Sequence, residues 1–406
     1  MAATILFLPD LDEGHIFPTI GLAQRLEDHG YEVIYLTIED NKAYLDEYGF
    51  ESEVVFREIY PYGWRFSTSY GGEVNDSIAC LHLLPLLQGE LDEIIQRRCP
   101  DLLIISFFLP VEALLLHYKY RLPQIMITSF LREPFKSPFN NCLETVMKIA
   151  ASSPGVLDEM ITGLLSTGVE ANSLQELAAP LQQIPELITC PEILDFPGME
   201  FPGNVFHIEP SVRQVTLSRQ RLRVPAGKKI ILASFGSQVS MYRQMNELFI
   251  ARMLEVMKLP EAEEWHLFLG IGREADPAQC AAGVTDNVTI LNWLPMPELL
   301  EHSALALIHG GLGAIKECIS FRVPMVIFPI TAEQVLNSER IIFHRLGASG
   351  RIDMLKAPEI AHLMTDILMN EDIREQLDSM SREFRRREEA GAGVEIITRL
   401  INNSIA

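Results

Sequence analysis

Long apolar runs are missing from this chain: none reaches the roughly 18 residues that a membrane-spanning helix needs. Basic residues are also short, 33 against 55 acidic ones, which leaves a formal net charge of −22. A field of that sign repels a phosphate backbone and an anionic lipid surface, so no nucleic-acid or membrane-surface partner is expected. An anionic ligand instead needs a local site built from backbone N–H groups at a helix N-terminus. The six cysteines (Cys80, Cys99, Cys142, Cys190, Cys280 and Cys318) have no paired spacing. That excludes a disulfide framework, and reduced thiols in a cytoplasmic protein are the expectation. No cluster has metal-ligand spacing, so no metal is expected. The opening MAATILFLPDLDEG lacks the basic stretch of a signal peptide and reads as a first strand. Low-complexity tracts are absent too.

What is present is alternation. TILFLP (4–9), YEVIYLTI (31–38), DLLIISF (101–107) and PQIMITS (123–129) are short apolar runs. Helical patterns separate them, at 16–30, 77–99 and 112–120. That order means a parallel sheet covered on both faces, with right-handed crossovers. The pattern weakens from 130 to 205, where amphipathic helices give way to a segment with prolines at 191, 197 and 202, read as loop or edge structure. A polar, basic stretch (210–228) reads as a linker. Alternation then restarts with strands at 229–236, 264–272, 288–294, 304–308 and 324–330. The expectation is therefore two α/β Rossmann-like domains in tandem, 1–209 and 229–380. A C-terminal helix (381–406) returns to the first domain. Length alone, at 406 residues, favours two cores. Ligands of such sheets sit outside the carboxyl ends of the strands, so a crevice between the parallel sheets is the natural site.

HGGLGAIKE (309–317) lies where a strand of the second domain ends and a helix begins. Its glycines permit close backbone approach and positive φ angles. The first N–H groups of the helix are unpaired and carry the positive end of the dipole. Such a turn can cradle phosphate, with His309 as an added donor; taken alone, the nine residues favour a plain glycine turn around a satisfied histidine, since such turns are common. The neighbours favour the cradle. Trp293 ends another strand and can stack a base, Glu317 lies one helical turn in, where a carboxylate can hold ribose hydroxyls, and Glu333 and Gln334 end the next strand.

The segment from Trp293 to Asn337 resembles the nucleotide-sugar signature of the UDP-glycosyltransferase superfamily, family 1 of the inverting GT-B glycosyltransferases. The shared elements are W-x-P, H-x-G, a glutamate, V-P and E-Q in that order, with GHIFP near residue 15 and SFGS at 234–237. The bacterial macrolide and natural-product branch is the nearest in pattern. The resemblance implies a GT-B fold and transfer of a sugar, glucose first among them, from a UDP-sugar or dTDP-sugar to a small lipophilic acceptor. It implies no cofactor besides that co-substrate. It assigns the base to Trp293 and the backbone of Leu294, the ribose to Glu317, and the diphosphate to His309, Ser237 and the N–H groups from Gly311 through Gly313 to Ala314. The donor sugar falls to Glu333 and Gln334, and the role of general base to His15, whose ordinary pKa near 6.5 suits that task.

Several positions depart from the pattern. Ser106 stands where relatives place the aspartate that orients the histidine, with Phe107 beside it and Glu112 as a substitute carboxylate. Ala314, Met296 and Arg322 replace the usual Ser/Thr, Gln and Gly. These losses keep open a helper protein that binds without turnover; a nucleotide-sugar epimerase is a third possibility. For the acceptor, the aromatic loop with Trp64 and Phe66, together with Phe107, is an apolar wall or simply core packing. A monomer and a homodimer are both compatible with the chain.

Overall fold

The computed structural model describes residues 3–10, 13–64, 82–212, 222–237, 239, 242–273, 275, 277 and 284–405. The chain forms two compact units. Unit 1 holds residues 1–192, 197–211 and 391–406; unit 2 holds 193–196 and 212–390.

Unit 1 is built on β1 (Thr4–Leu8), β2 (Glu32–Thr37), β3 (Glu51–Val54), β4 (Leu102–Ser106), β5 (Gln124–Thr128), β6 (Glu186–Ile188) and β7 (Val205–His207). All are parallel, in the order β3-β2-β1-β4-β5-β6-β7. The central strands β1, β4 and β5 are buried along their whole length because both faces are covered, whereas the edge strand β3 (ESEV) is polar. Ile5, Phe7, Val33, Tyr35, Leu102 and Ile104 pack on one side with the first helix, Glu13–Asp28. The alternate residues Leu6, Leu8, Ile34, Leu36, Leu103 and Ile105 pack on the other. The period of two that sends neighbours to opposite faces accounts for the division. The last helix, Ala392–Ile405, joins the first core through Val394, Ile397 and Ile401. Glu209 accepts from the N–H of Gly393 at 2.9 Å, and Tyr31 donates to Thr398 at 2.7 Å.

Unit 2 carries β8 (Lys229–Ser234), β9 (Trp265–Gly270), β10 (Val288–Leu291), β11 (Ser303–Ile308), β12 (Met325–Ile327) and β13 (Gly347–Ser349), parallel in the order β10-β9-β8-β11-β12-β13. In each sheet the chain starts in the middle, winds one way and then returns to wind the other. The strand order therefore reverses at β1/β4 in unit 1 and at β8/β11 in unit 2. Ligands of open parallel sheets bind at the carboxyl ends of such a pair.

Two details differ from the sequence expectation, and one stretch lies beyond the comparison. The described part of the helix expected over 77–99 is two pieces, Leu83–Gln88 and Asp92–Arg98, because Gly89 takes φ +107° and ends the first. Residues 65–81, which include Phe66, lie outside the described residues. The helix Glu371–Ala390 stays whole within unit 2, and the return to unit 1 comes at Gly391 (φ +61°) instead of residue 381.

Candidate active site

At the β1/β4 edge of unit 1, the chain leaves β1 through Pro9 and Asp10 and re-enters helix at Glu13. Asp10 meets the first turn of that helix. The Asp10 carboxylate accepts from Nδ1–H of His15 at 3.0 Å, and each side chain is only partly exposed. A carboxylate there fixes the tautomer and leaves Nε2 as the basic nitrogen. The imidazole also stacks on Phe108, centroids 4.3 Å apart and planes at 21°.

The carboxylate that meets His15 is thus Asp10, on the connection after β1, and not a group at the Ser106 end of β4. Ser106 is buried, and its Oγ accepts from the N–H of Phe108, shaping the turn that presents that ring. Glu112 does not serve as the substitute either: it faces His82 (3.3 Å), whose other nitrogen meets the Tyr60 hydroxyl at 2.8 Å. Phe107 is buried, whereas Phe108 is exposed beside His15 and stacks on Phe130 at 5.2 Å. Phe107 backs both rings edge-on. Trp64 packs edge-on against Tyr60 at 4.6 Å, on the core side of the same region. Sequence reading missed Asp10 and Phe108. The signal for the first was an acid between the strand end and the histidine, five residues from it.

At the β8/β11 edge of unit 2, the SFG turn and HGG turn face each other. A methyl on Gly236 would lie 2.5 Å from Cε1 of His309, and one on Gly311 would lie 2.7 Å from Nε2. Only glycine backbone lets the imidazole fit between the two turns. Part of His309 stays at the surface, but the packing strips water from the ring, and that desolvation pushes its pKa down to about 4. The ring is thus neutral at physiological pH and offers one N–H donor, not a positive charge. Gly310 takes φ +94°, which turns the chain from strand to helix. Gly311 is the N-cap of Leu312–Phe321 with no side-chain cap, so its first N–H groups stay available. A methyl on Gly313 would meet no atom within 4 Å. Ser237 follows the SFG turn at the same edge.

Trp293 and Leu294 follow β10. The Leu294 side chain is buried, close against the backbone of Gly270, and the guanidinium of Arg273 lies 4.0 Å from the Trp293 ring centroid. Glu317 sits on the buried side of Leu312–Phe321, where Ala314 lies in the first turn. Glu333 opens the next helix, Ala332–Phe343, and accepts from Asn337 at 3.1 Å. Gln334 does not present its carbonyl to a ligand. Its Oε1 accepts from Ile330 and Thr331 N–H at 2.8 and 3.2 Å, completing a capping box. Among the described residues no group of three or more His, Cys, Asp or Glu is arranged to hold a metal ion.

Two doubly wound units, one with a histidine–carboxylate pair and the other with a glycine-lined, uncapped helix N-terminus at its switch point, define a GT-B architecture. The family described as erythromycin biosynthesis protein CIII-like, C-terminal domain, matches residues 271–401. The NDP-glycosyltransferase YjiC of Bacillus subtilis (strain 168) is 22% identical over 81% of this chain and 79% of its own length. The demethyllactenocin mycarosyltransferase of Streptomyces fradiae is 23% identical over 96% of this chain and 84% of its own. The solved structure of the glycotransferase of kitacinnamycin superposes with a TM-score of 0.77, at 20% identity, over 98% of this chain and 99% of that one. Over most of its length the chain is thus similar to proteins named as glycosyltransferases, and it shares the fold of the solved one.

Proposed function

We propose that the protein transfers a sugar, with inversion, from a UDP-sugar or dTDP-sugar to a hydroxyl of a small lipophilic acceptor, and that UDP-glucose is the first donor to test. The observation that carries this reading is the pairing of His15 with Asp10 beside the exposed Phe108 ring, a placed base next to an apolar wall. His15 Nε2 takes the proton of the acceptor hydroxyl as its oxygen attacks C1 of the sugar. The bond from C1 to the diphosphate oxygen breaks, and the nucleoside diphosphate leaves from the opposite face. Asp10 holds the imidazole in place and stabilises the imidazolium that forms. Phe108 and Phe130 supply flat apolar surface for a ring-bearing acceptor.

In unit 2 the charge that builds on the leaving diphosphate falls to the uncapped N–H groups of Leu312, Gly313 and Ala314 and to the neutral His309 N–H. Trp293 stacks the base, with Arg273 fixed over its ring; Glu317 takes the ribose and Glu333 the sugar hydroxyls. The helix dipole and His309 serve here in place of a divalent metal, and a protein stripped by EDTA is expected to keep its rate.

The test is thermal stability and calorimetric titration with UDP, UDP-glucose, UDP-N-acetylglucosamine and dTDP-glucose. A ligand that binds only the folded state raises Tm by mass action. One nucleotide should raise it clearly. No shift with any of the four, at concentrations that saturate ordinary donors, overturns the donor assignment.

A further inference from the structure

A buried polar chain links the HGG turn to residues far away in sequence. Ile193–Phe196 fold into unit 2, although the residues on both sides of them fold into unit 1. Within that segment Asp195 is buried, and its Oδ1 accepts from Nε of the equally buried Arg340 at 2.8 Å. The guanidinium lies 5.1 Å from the ring of Phe196, and His344 Nε2 donates to the carbonyls of Leu194 and Asp195 at 3.1 and 3.3 Å. On its other side, Arg340 Nη1 reaches Oδ1 of Asn337 at 3.5 Å. Asn337 Nδ2 donates to the Gly310 carbonyl at 2.9 Å and to Glu333 Oε1 at 3.1 Å.

The chemistry of these contacts fixes a direction. An asparagine amide can flip, and its two ends differ only in donor and acceptor character. Here a flip would set Oδ1 against the Gly310 carbonyl and the Glu333 carboxylate, two acceptors, and set Nδ2 against the Arg340 guanidinium, a donor. Arg340 thus favours the same face of Asn337 that the Gly310 carbonyl and the Glu333 carboxylate require, and Asp195 holds Arg340 in place. A buried ion pair is a poor source of stability compared with packed apolar groups, because both charges lose water. What this one supplies is orientation.

We propose that Asp195 and Arg340 are positioning residues for donor binding: through Asn337 they hold the Gly310 turn and the Glu333 carboxylate in the arrangement that receives the nucleotide sugar. The donor half of this claim rests on the reading under Proposed function, whereas the positioning half does not.

The two halves separate by experiment. Hydrogen exchange of the segment 309–317 is followed in the free protein for wild type and Arg340→Met. Where the single change leaves Asp195 too costly to bury, the charge-free pair Asp195→Leu/Arg340→Met replaces it. Exchange at the turn should rise by about ten-fold or more while the strands of both sheets keep their protection. Nucleotide affinity should fall by about ten-fold, with kcat at saturating donor within about two-fold, and Arg340→Lys should recover part of the loss. Unchanged exchange at 309–317 in a folded variant overturns the positioning claim. Raised exchange with unchanged nucleotide affinity, or with a wild type that binds none of the four nucleotides, keeps the positioning and overturns its link to the donor.

Discussion

Gly313→Ala pits stability against binding. Gly313 is the second residue of Leu312–Phe321, its φ is not positive, and an added methyl meets nothing within 4 Å. Alanine is favoured over glycine in a helix by up to about 1 kcal/mol, so the variant should be more stable. For a unit of this size that corresponds to about 2–4 °C in Tm. The same methyl enters open space in the first turn of the uncapped helix, where the proposed donor site puts the diphosphate against the backbone. Losing one N–H contact to a charged group costs about 1.5–3 kcal/mol, or a roughly ten-fold to hundred-fold weaker Kd. The neighbouring glycines give the contrast. A methyl at Gly310 would lie 2.7 Å from Ile327 Cγ2 at φ +94°, so Gly310→Ala should lose stability and binding together. The assay is differential scanning calorimetry beside titration with the nucleotide that binds wild type. A Gly313→Ala protein that is more stable and binds that nucleotide as wild type does would refute the placement of the diphosphate.

Two further outcomes follow from the same geometry. His309 is desolvated in the folded state, with a pKa near 4 against an ordinary 6.5, so the unfolded chain binds the extra proton first. Stability from this residue is full above about pH 6.5 and is lost as pH falls towards about 4, by up to about 3 kcal/mol and less to the extent that the residue is exposed. Urea unfolding from pH 8 to pH 5 should show that slope, and His309→Asn should flatten it; equal slopes would mean that the ring is hydrated. Arg322 ends Leu312–Phe321 at φ +60°, with its side chain mostly in solvent. Arg322→Gly should relieve about 1 kcal/mol of left-handed strain, seen as a higher denaturant midpoint, whereas a lower one would mean that the 3.9 Å contact to Asp378 outweighs it.

Both sheets were legible because strands buried on two faces must be apolar runs. TILFL, LLIIS, IILAS and SALALI each form a strand of the expected kind. HGGLG was legible as a turn between a strand and a helix, and its neighbours Trp293, Glu317 and Glu333, not the glycines alone, pointed to a ligand. What sequence could not supply was direction. Of two adjacent phenylalanines, Phe107 turns inward and Phe108 outward, a choice made by the turn that Ser106 closes. Asp10 lies in a stretch that reads only as a first strand, because its meeting with His15 is a three-dimensional feature. Glu112 faces His82, thirty residues earlier, a pairing that no local pattern in the sequence announces. Gln334 looked like a ligand group by its place beside Glu333, yet a glutamine three residues after a threonine is also half of a capping box. The four residues of unit 2 hidden between 192 and 197 carry no local pattern at all; a buried ion pair made 145 positions apart holds them.

The central claim is that His15, oriented by Asp10, is the base for sugar transfer. The most direct measurement is release of nucleoside diphosphate from the bound donor, with and without a panel of phenolic and polyketide acceptors, for wild type, His15→Ala and Asp10→Asn. The account predicts acceptor-dependent release by wild type, a loss of about 10²–10⁴ in kcat for His15→Ala, and a smaller loss for Asp10→Asn with donor affinity kept in both. A His15→Ala protein that binds donor and turns over at the wild-type rate would contradict it.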